Sequence, residues 1–467
     1  MFFSRKPYLY IAAVVFAVWA VYCYNPFALY FQNDDFTNIL LSSKHQLFQR
    51  NSFRPICDLS VMLDYTLFGT NAAGYHLMNL LLHIICSVLV FFFSRRMFVL
   101  FFTGGDKTAF AILASLLFFM YPMHSESVFW ILGRSGTLGA IFALLFLLAF
   151  LKEKYTTASI AAFITWYVFA LFTYESCWVL LPAAALLTLG LPAQGWVGFK
   201  RRRYYFIILL VIFILYLLMR RIEDNELLNN YEAENFFSVN ITVLAQHYAQ
   251  LVIRSFIAYF EAPPAIIAGF AVVFAVLGWL LFKCDRNRRF FAGLMMACFM
   301  VSLLPYLSLG IDTHGTGGER FLYLPSVFLC AGMAVLLAAI PYKTAFAITC
   351  LTCFVYSLQL YVNAGNYRFA GSVVKQTMLQ LQADSSRNIV IEGLPRAQYG
   401  AMILENGLQQ ATLLLGMGKD TSAIRVQSRR SELRPLVQPY KTIHTRVSED
   451  EGVSRYVFTD TALFIYR

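Results

Sequence analysis

The chain has 467 residues, 59% of them hydrophobic and only 13% charged, with a mean hydropathy of +0.61. A soluble domain could not hide that much apolar surface. The net charge of +11 lies mainly in short loops between apolar runs, the pattern of cytoplasmic loops, and not in an aromatic-interleaved patch, so no nucleic-acid partner is expected.

Many of the apolar runs are long enough to cross a hydrocarbon core of roughly 30 Å. Lipid offers no partner to backbone N–H and C=O groups, so these runs must be helical. The alternating segments of about 10 residues that mark a membrane β-barrel are absent. The expected fold class is therefore an all-α polytopic membrane protein.

Arg5 and Lys6 place the N-terminus in the cytoplasm. The first 26 residues have the charged start and apolar middle of a signal sequence but no clear A-x-A cleavage site. They read as a retained first span, about Tyr8 to Tyr24. A polar outer segment follows, from Asn25 to Tyr75. Further spans are expected at about His76–Phe93, Thr108–Tyr121, Gly136–Leu151, Ser159–Phe172, Ser176–Leu191 and Tyr204–Met219. Basic inner loops at Arg95, Arg96 and Lys107, at Lys152 and Lys154, and at Lys200–Arg203 fix their direction. An acidic, Asn-rich outer loop precedes an amphipathic stretch, Ile241–Phe260, expected to lie along the outer surface. The last spans are expected at about Pro264–Phe282, Phe290–Leu307, Phe321–Ile340 and Thr344–Val362. The threading gives about 11 spans of the bilayer's length. It divides the chain into a transmembrane domain, 1–362, and a small α+β domain, 363–467, outside. That domain is expected to begin with a helix, Asn366–Gln382, followed by strand-like runs at Asn388–Ile391 and Arg455–Tyr466, with a helical stretch near Ala401–Leu415. Cys350 and Cys353 form a C-x-x-C inside an apolar run and read as small hydrophobes filling a helix.

Sorted by side, the inner loops hold mainly Lys and Arg, while the outer loops mix acids, imidazoles and guanidiniums at helix ends, where polar groups are costly and usually have a role. Three outer segments stand out. The first contains adjacent carboxylates, Asp34 and Asp35. They suit a general base or metal ligand, since interaction between them raises one pKa; equally, Asp favours helix N-caps. The second holds His124, Glu126 and Arg134, which suit polar contacts to an acceptor better than a metal site; a capped chain re-entry with a snorkelling arginine fits as well. The third is a glycine-rich turn with His314, Glu319 and Arg320. Glycines allow close backbone approach, and an arginine fork matches phosphate oxygens; a flexible loop with an interfacial anchor fits equally. Arg54, His76 and Glu175 belong to the same outer set. His83, one turn from Asn79, reads as a neutral interhelical hydrogen-bonding group, and Asn240-Ile-Thr242 is a glycosylation sequon. His45, His247 and His444 have no evident partners.

Taken in order, these segments resemble a known family. They are the Asp34-Asp35 pair after the first span, Arg54-Pro55, the stretch from Gly74-Tyr-His to His83, Pro122-Met-His-Ser-Glu-Ser-Val, Gly133-Arg134, and Glu319-Arg-Phe-Leu-Tyr-Leu-Pro325. Over roughly residues 8–362 the chain resembles the transmembrane region of the TMTC-type O-mannosyltransferases and their bacterial relatives, within the GT-C glycosyltransferases. It departs from them at Gly136, where the animal proteins usually carry Asp, and at Tyr121, which stands in place of His. No tetratricopeptide array follows the last span in this sequence; the small mixed domain stands there.

The resemblance implies a polyprenyl- or dolichyl-phosphate-linked sugar donor drawn from the membrane. It implies Asp34, with Asp35 beside it, as general base on an acceptor hydroxyl, in one inverting displacement. Arg320 and Arg134 would bind the donor phosphate. Arg54, His76, His124, Glu126, Glu175, His314 and Glu319 would line the substrate site. A divalent metal, Mg or Mn, stays open as cofactor, with no ligand assigned. The acceptor stays open between protein and glycan, and the expected setting is a bacterial inner membrane with the site facing the periplasm. Two other classes compete: a transporter or flippase of lipid-linked sugars, which needs midplane ionisable groups and broken helices in matching halves, and a non-catalytic envelope assembly protein.

Overall fold

The computed structural model describes residues 7–46, 53–104, 106–152, 155–192, 195–224, 240–257, 263–383, 388–416, 424–426, 429–430, 442–450 and 453–460. Arg5, Lys6, Lys154 and most of the acidic loop before Asn240 lie outside them. Among the described residues six helices are long and apolar enough to cross a membrane, or seven if the bent pair Lys107–Met120 and Pro122–Phe129 counts as one; three shorter apolar helices accompany them. The chain is a multi-pass membrane protein.

Most expected spans coincide with helices, at Pro7–Tyr24, Lys107–Met120, Arg134–Phe150, Thr157–Thr173, Leu180–Gly190, Pro263–Lys283, Arg286–Ser302 and Tyr323–Leu337. Three helices exceed the apolar runs that announced them. Ala72–Phe101 and Gly195–Asp224 each run 30 residues. The basic stretch Lys200–Arg203, expected as an inner loop, is helical: a charge stops membrane burial, not helix propagation, and Lys and Arg are good helix formers. Tyr342–Ala383 runs 42 residues, about 63 Å at the helical rise and roughly twice the hydrocarbon thickness. The expected boundary at 362/363 therefore falls inside one helix, whose second half carries the chain from the membrane to its C-terminal part.

Two short helices, Asp35–Ser43 and Pro55–Phe68, occupy the outer segment that is too polar to cross. The second begins at a proline, favoured at the first helical turn. A further proline shapes the second outer segment. Pro122 has no N–H to continue the helix before it, so the chain turns by 57° and enters the short helix Ser125–Phe129. His124 and Glu126 thus lie on a turn held across the helix ends.

After the long helix come the strands. A four-stranded sheet runs in the order Ile424–Val426, Asn388–Glu392, Val453–Asp460, Thr442–Asp450, with the first two pairings parallel and the last antiparallel. The continuation past residue 460 lies outside the described residues. The helical stretch expected near 401–415 is confined to Leu408–Leu414. Ahead of it, Ala397–Gln398 pairs antiparallel with Ala401–Met402, turning through Tyr399 and Gly400, both at positive φ. All nine cysteines are free.

Candidate functional site at the helix ends

Asp34 and Asp35 open the helix Asp35–Ser43, but their environments differ. Asp35 is fully buried and accepts the backbone N–H of Gln32 at 2.9 Å. Burial pushes its carboxyl up to about 8; the Gln32 N–H opposes this and the neighbouring Asp34 charge adds to it. Asp34 is only half-buried. Its Oδ2 accepts the Asn33 side-chain amide at 3.1 Å. Burial raises its carboxyl as well, while the Asn406 side chain and the Arg320 charge act in the opposite sense. Of the pair, Asp34 is the carboxylate a substrate can reach.

Arg320 is held from three directions. Its backbone N–H donates to Glu126 Oε2 at 2.9 Å and its guanidinium pairs with the other oxygen of the same carboxylate. The guanidinium also lies over the rings of Trp130, 5.3 Å away, and Phe321, 4.9 Å away, cation–π contacts that help fix it. Its side chain retains 29% exposure, so donor capacity is left for a ligand. The preceding residue, Glu319, is buried and binds Arg254 at 2.7 Å. Arg254 also donates to the backbone oxygens of Asp312 and Gly315, tying the glycine-rich turn to the amphipathic helix Ile241–Arg254.

Other residues of the expected set sit elsewhere. Arg134, expected at the donor phosphate, is fully buried and paired with Asp64 at 2.5 Å, with Asp64 itself 1% exposed. It also donates to the backbone oxygens of Ile131 and Tyr75. A guanidinium this deep is neutralised inside the bundle, because a buried charge demands a partner, and it offers nothing to a phosphate. His124 is likewise fully buried. Its Nε2 lies 2.8 Å from the Ser326 hydroxyl and its ring packs on Tyr323 and Phe118, so it cross-braces helices and does not line a substrate site. His76 is buried with Nε2 3.3 Å from the Tyr30 carbonyl oxygen. His83 links Tyr323 and Tyr24, as an interhelical hydrogen-bonding group would. His314 is exposed, near the Thr313 hydroxyl at 3.0 Å. The sequon residue Asn240 is exposed and caps its helix by accepting the Thr242 N–H.

Arg54 forms a bidentate pair with Glu175, at 2.8 and 2.5 Å, with its guanidinium over the Tyr174 ring. This pair and Arg320 border one cavity of about 820 Å³. Arg220, His247, Asp312, Trp178, Tyr216, Tyr306 and Phe321 also line it. Its composition is that of a ligand pocket, aromatic walls with a few fixed charges. His247 and Arg220 carried no signal as isolated residues in the sequence; the helices they ride on bring them here. Among the described residues, no three His, Cys, Asp or Glu side chains group together to hold a metal ion.

Fold and site together define a polytopic membrane protein with an aromatic-walled, arginine-bordered pocket; Asp34 is not one of its lining residues, and Arg320, whose charge acts on the Asp34 carboxyl, connects the two. No family model matches the chain. Curated proteins do match parts of it. Protein O-mannosyl-transferase TMTC2 of Mus musculus is 32% identical over 143 residues, 31% of this chain and 16% of that protein. Protein O-mannosyl-transferase TMTC3 of Homo sapiens is 32% identical over 129 residues, 28% of this chain and 13% of that protein. The chain thus matches only about a sixth of the length of these relatives. Among solved structures, ArnT from Cupriavidus metallidurans, crystallised with undecaprenyl phosphate, is similar over 91% of this chain and 90% of its own, at 15% identity and a TM-score of 0.42. The resemblance to the TMTC-type O-mannosyltransferases read from the motifs is thus found again by sequence comparison, over about 31% of the chain.

Proposed function

We propose that this protein is an integral membrane glycosyltransferase of the GT-C type that uses a polyprenyl-phosphate-linked sugar on the extracytoplasmic face. Asp34 takes the proton of an acceptor hydroxyl as that oxygen attacks the anomeric carbon. The bond from that carbon to the phosphate oxygen breaks in the same displacement. The products are an inverted glycoside and the free lipid phosphate, whose growing negative charge Arg320 offsets. Arg54 and Arg220, on the wall of the same cavity, take the place first expected of Arg134.

One observation carries this reading: Gln32, two residues before the half-buried Asp34, and Thr316, four residues before Arg320, both bond Tyr367, so the carboxylate and the pocket-bordering arginine are held from one residue, and the Arg320 charge acts on the Asp34 carboxyl. Base and phosphate partner must flank one reaction centre, and these two come from segments 286 residues apart. The names of the curated relatives support mannose as the sugar. The one-sided charge pattern supports about 11 spans with the site and C-terminal domain on the extracytoplasmic face, and the departures from the animal pattern at Gly136 and Tyr121 support a bacterial inner membrane, with that face in the periplasm.

The test is transfer from undecaprenyl-phosphate mannose by the purified full-length chain in liposomes. The product should carry the anomeric configuration opposite to the donor. Arg320→Ala should raise the donor KM by about 10- to 100-fold, the loss expected for a charge-assisted hydrogen bond. A retained configuration, or an unchanged donor KM in Arg320→Ala, would remove this mechanism.

A further inference from the structure

The C-terminal part of the chain touches the site at two points through one short stretch, 399–407. At the first, Asn33 donates its backbone N–H to the Ile403 carbonyl at 2.8 Å, and its side-chain oxygen accepts the Asn406 N–H at 2.7 Å. Gly407 sits so close that an added Cβ would lie 2.3 Å from the Asn33 carbonyl oxygen. At the second, Thr316 of the glycine-rich turn donates its N–H to the Tyr399 carbonyl at 2.9 Å, and a Cβ on Gly400 would lie 2.5 Å from the Thr316 and Gly317 nitrogens. These contacts coincide with unusual backbone. Asn33 and Tyr399 are two of the three non-glycine residues at positive φ among the described residues, each at 45°. Such conformations persist only where surrounding bonds over-determine them, and here those bonds come from the partner segment. Tyr367 of the long helix braces the same two loops, accepting from the Gln32 side chain and pairing with the Thr316 hydroxyl.

We propose that the stretch 399–407 is a positioning clamp, which seats the Asn33-Asp34 backbone and the glycine-rich turn ahead of Arg320 at a fixed spacing, with Asn406 as the positioning residue for the Asp34 carboxylate. The clamp rests on Asp34 being the base, as proposed above. It makes the C-terminal domain part of the reaction centre instead of an appendage. Asn406 favours the charged, base-competent form of Asp34. The charges facing Asp34 are Arg320, which acts in the same sense, and Glu405, which opposes it; the adjacent Asp35, its carboxyl pushed up to about 8, is neutral below that pH.

The clamp is tested in the full-length chain by hydrogen–deuterium exchange at the Asn33 and Thr316 amides and by transfer from undecaprenyl-phosphate mannose. Gly407→Val and Gly400→Val should raise exchange at Asn33 and Thr316 respectively by about tenfold or more, as expected when a local opening is released. Asn406→Ala should lower kcat by about 10- to 100-fold, in the range of a small misplacement of a catalytic group, with the donor KM nearly unchanged. It should also move the acid limb of the kcat/KM profile to higher pH, because a donor to the carboxylate is lost, and Asn406→Ser should recover part of the rate. Unchanged exchange in both glycine variants, or an unchanged kcat and pH profile in Asn406→Ala, would overturn the clamp. If the wild-type chain itself transfers no mannose, the transferase assignment fails on its own, and the exchange arm alone decides whether the clamp holds the two loops.

Discussion

Asp34 and Asp35 differ by one position and by most of their chemistry. Asp35 is fully buried with its carboxyl pushed up to about 8, so in the folded chain it keeps a proton that the unfolded chain gives up near its ordinary pKa of about 4. The stability this contributes is full below that pH and is lost as pH rises through about 8. Thermal unfolding of the wild type should therefore become easier between pH 5 and 8, to the extent of about one proton's linkage. Asp35→Asn should remove that part of the slope; an identical slope in the variant would show that Asp35 is not the group responsible. The pair itself was legible as a motif. Which member stays reachable was not, because burial depends on Gln32 and on the turn around Leu132, nearly a hundred residues away. The same holds for Arg134. Its Gly-Arg context marked it as important, while its partner Asp64, 70 residues earlier in the chain, decided that it braces the bundle.

Among the elements, the helices were legible wherever apolar runs met basic inner loops, since both membrane thickness and charge asymmetry act on the local sequence. Their continuity was not: Lys200–Arg203, read as a loop, is helical, and the helix expected at about Asn366–Gln382 is joined to the last span as one helix. Arg254 was hidden because an amphipathic stretch reads as a surface helix, and only the packing of Ile241–Arg254 shows its last turn holding Glu319 and the glycine-rich turn. One departure from the resembled family gains a physical reason here. Gly136 stands where the animal proteins usually carry Asp, and a Cβ at this position would meet Ser127 Oγ at 3.1 Å and the Arg320 carbonyl oxygen at 3.3 Å. An Asp side chain would need that wall to move. Gly136→Asp should displace Arg320 and weaken donor use, read as a raised donor KM of about tenfold, a typical effect of overpacking beside a fixed group. Wild-type kinetics in Gly136→Asp would show that the wall yields freely.

Over the whole molecule, three segments that are far apart in sequence come together, Glu126 pairing with Arg320 and the stretch 399–407 bonding both Asn33 and Thr316. The long helix Tyr342–Ala383 carries the chain from the apolar bundle to the C-terminal part that makes these contacts. That helix was read as two pieces, because its midpoint is where the apolar pattern ends. The proposed account of inverting transfer stands or falls on the reachable carboxylate. The most direct measurement is the single-turnover rate of mannose transfer from undecaprenyl-phosphate mannose by Asp34→Asn beside the wild type, both verified as folded by their melting transitions. The account predicts a loss of about 100- to 10,000-fold, the share of a general base. A rate in Asp34→Asn equal to that of the wild type would contradict it.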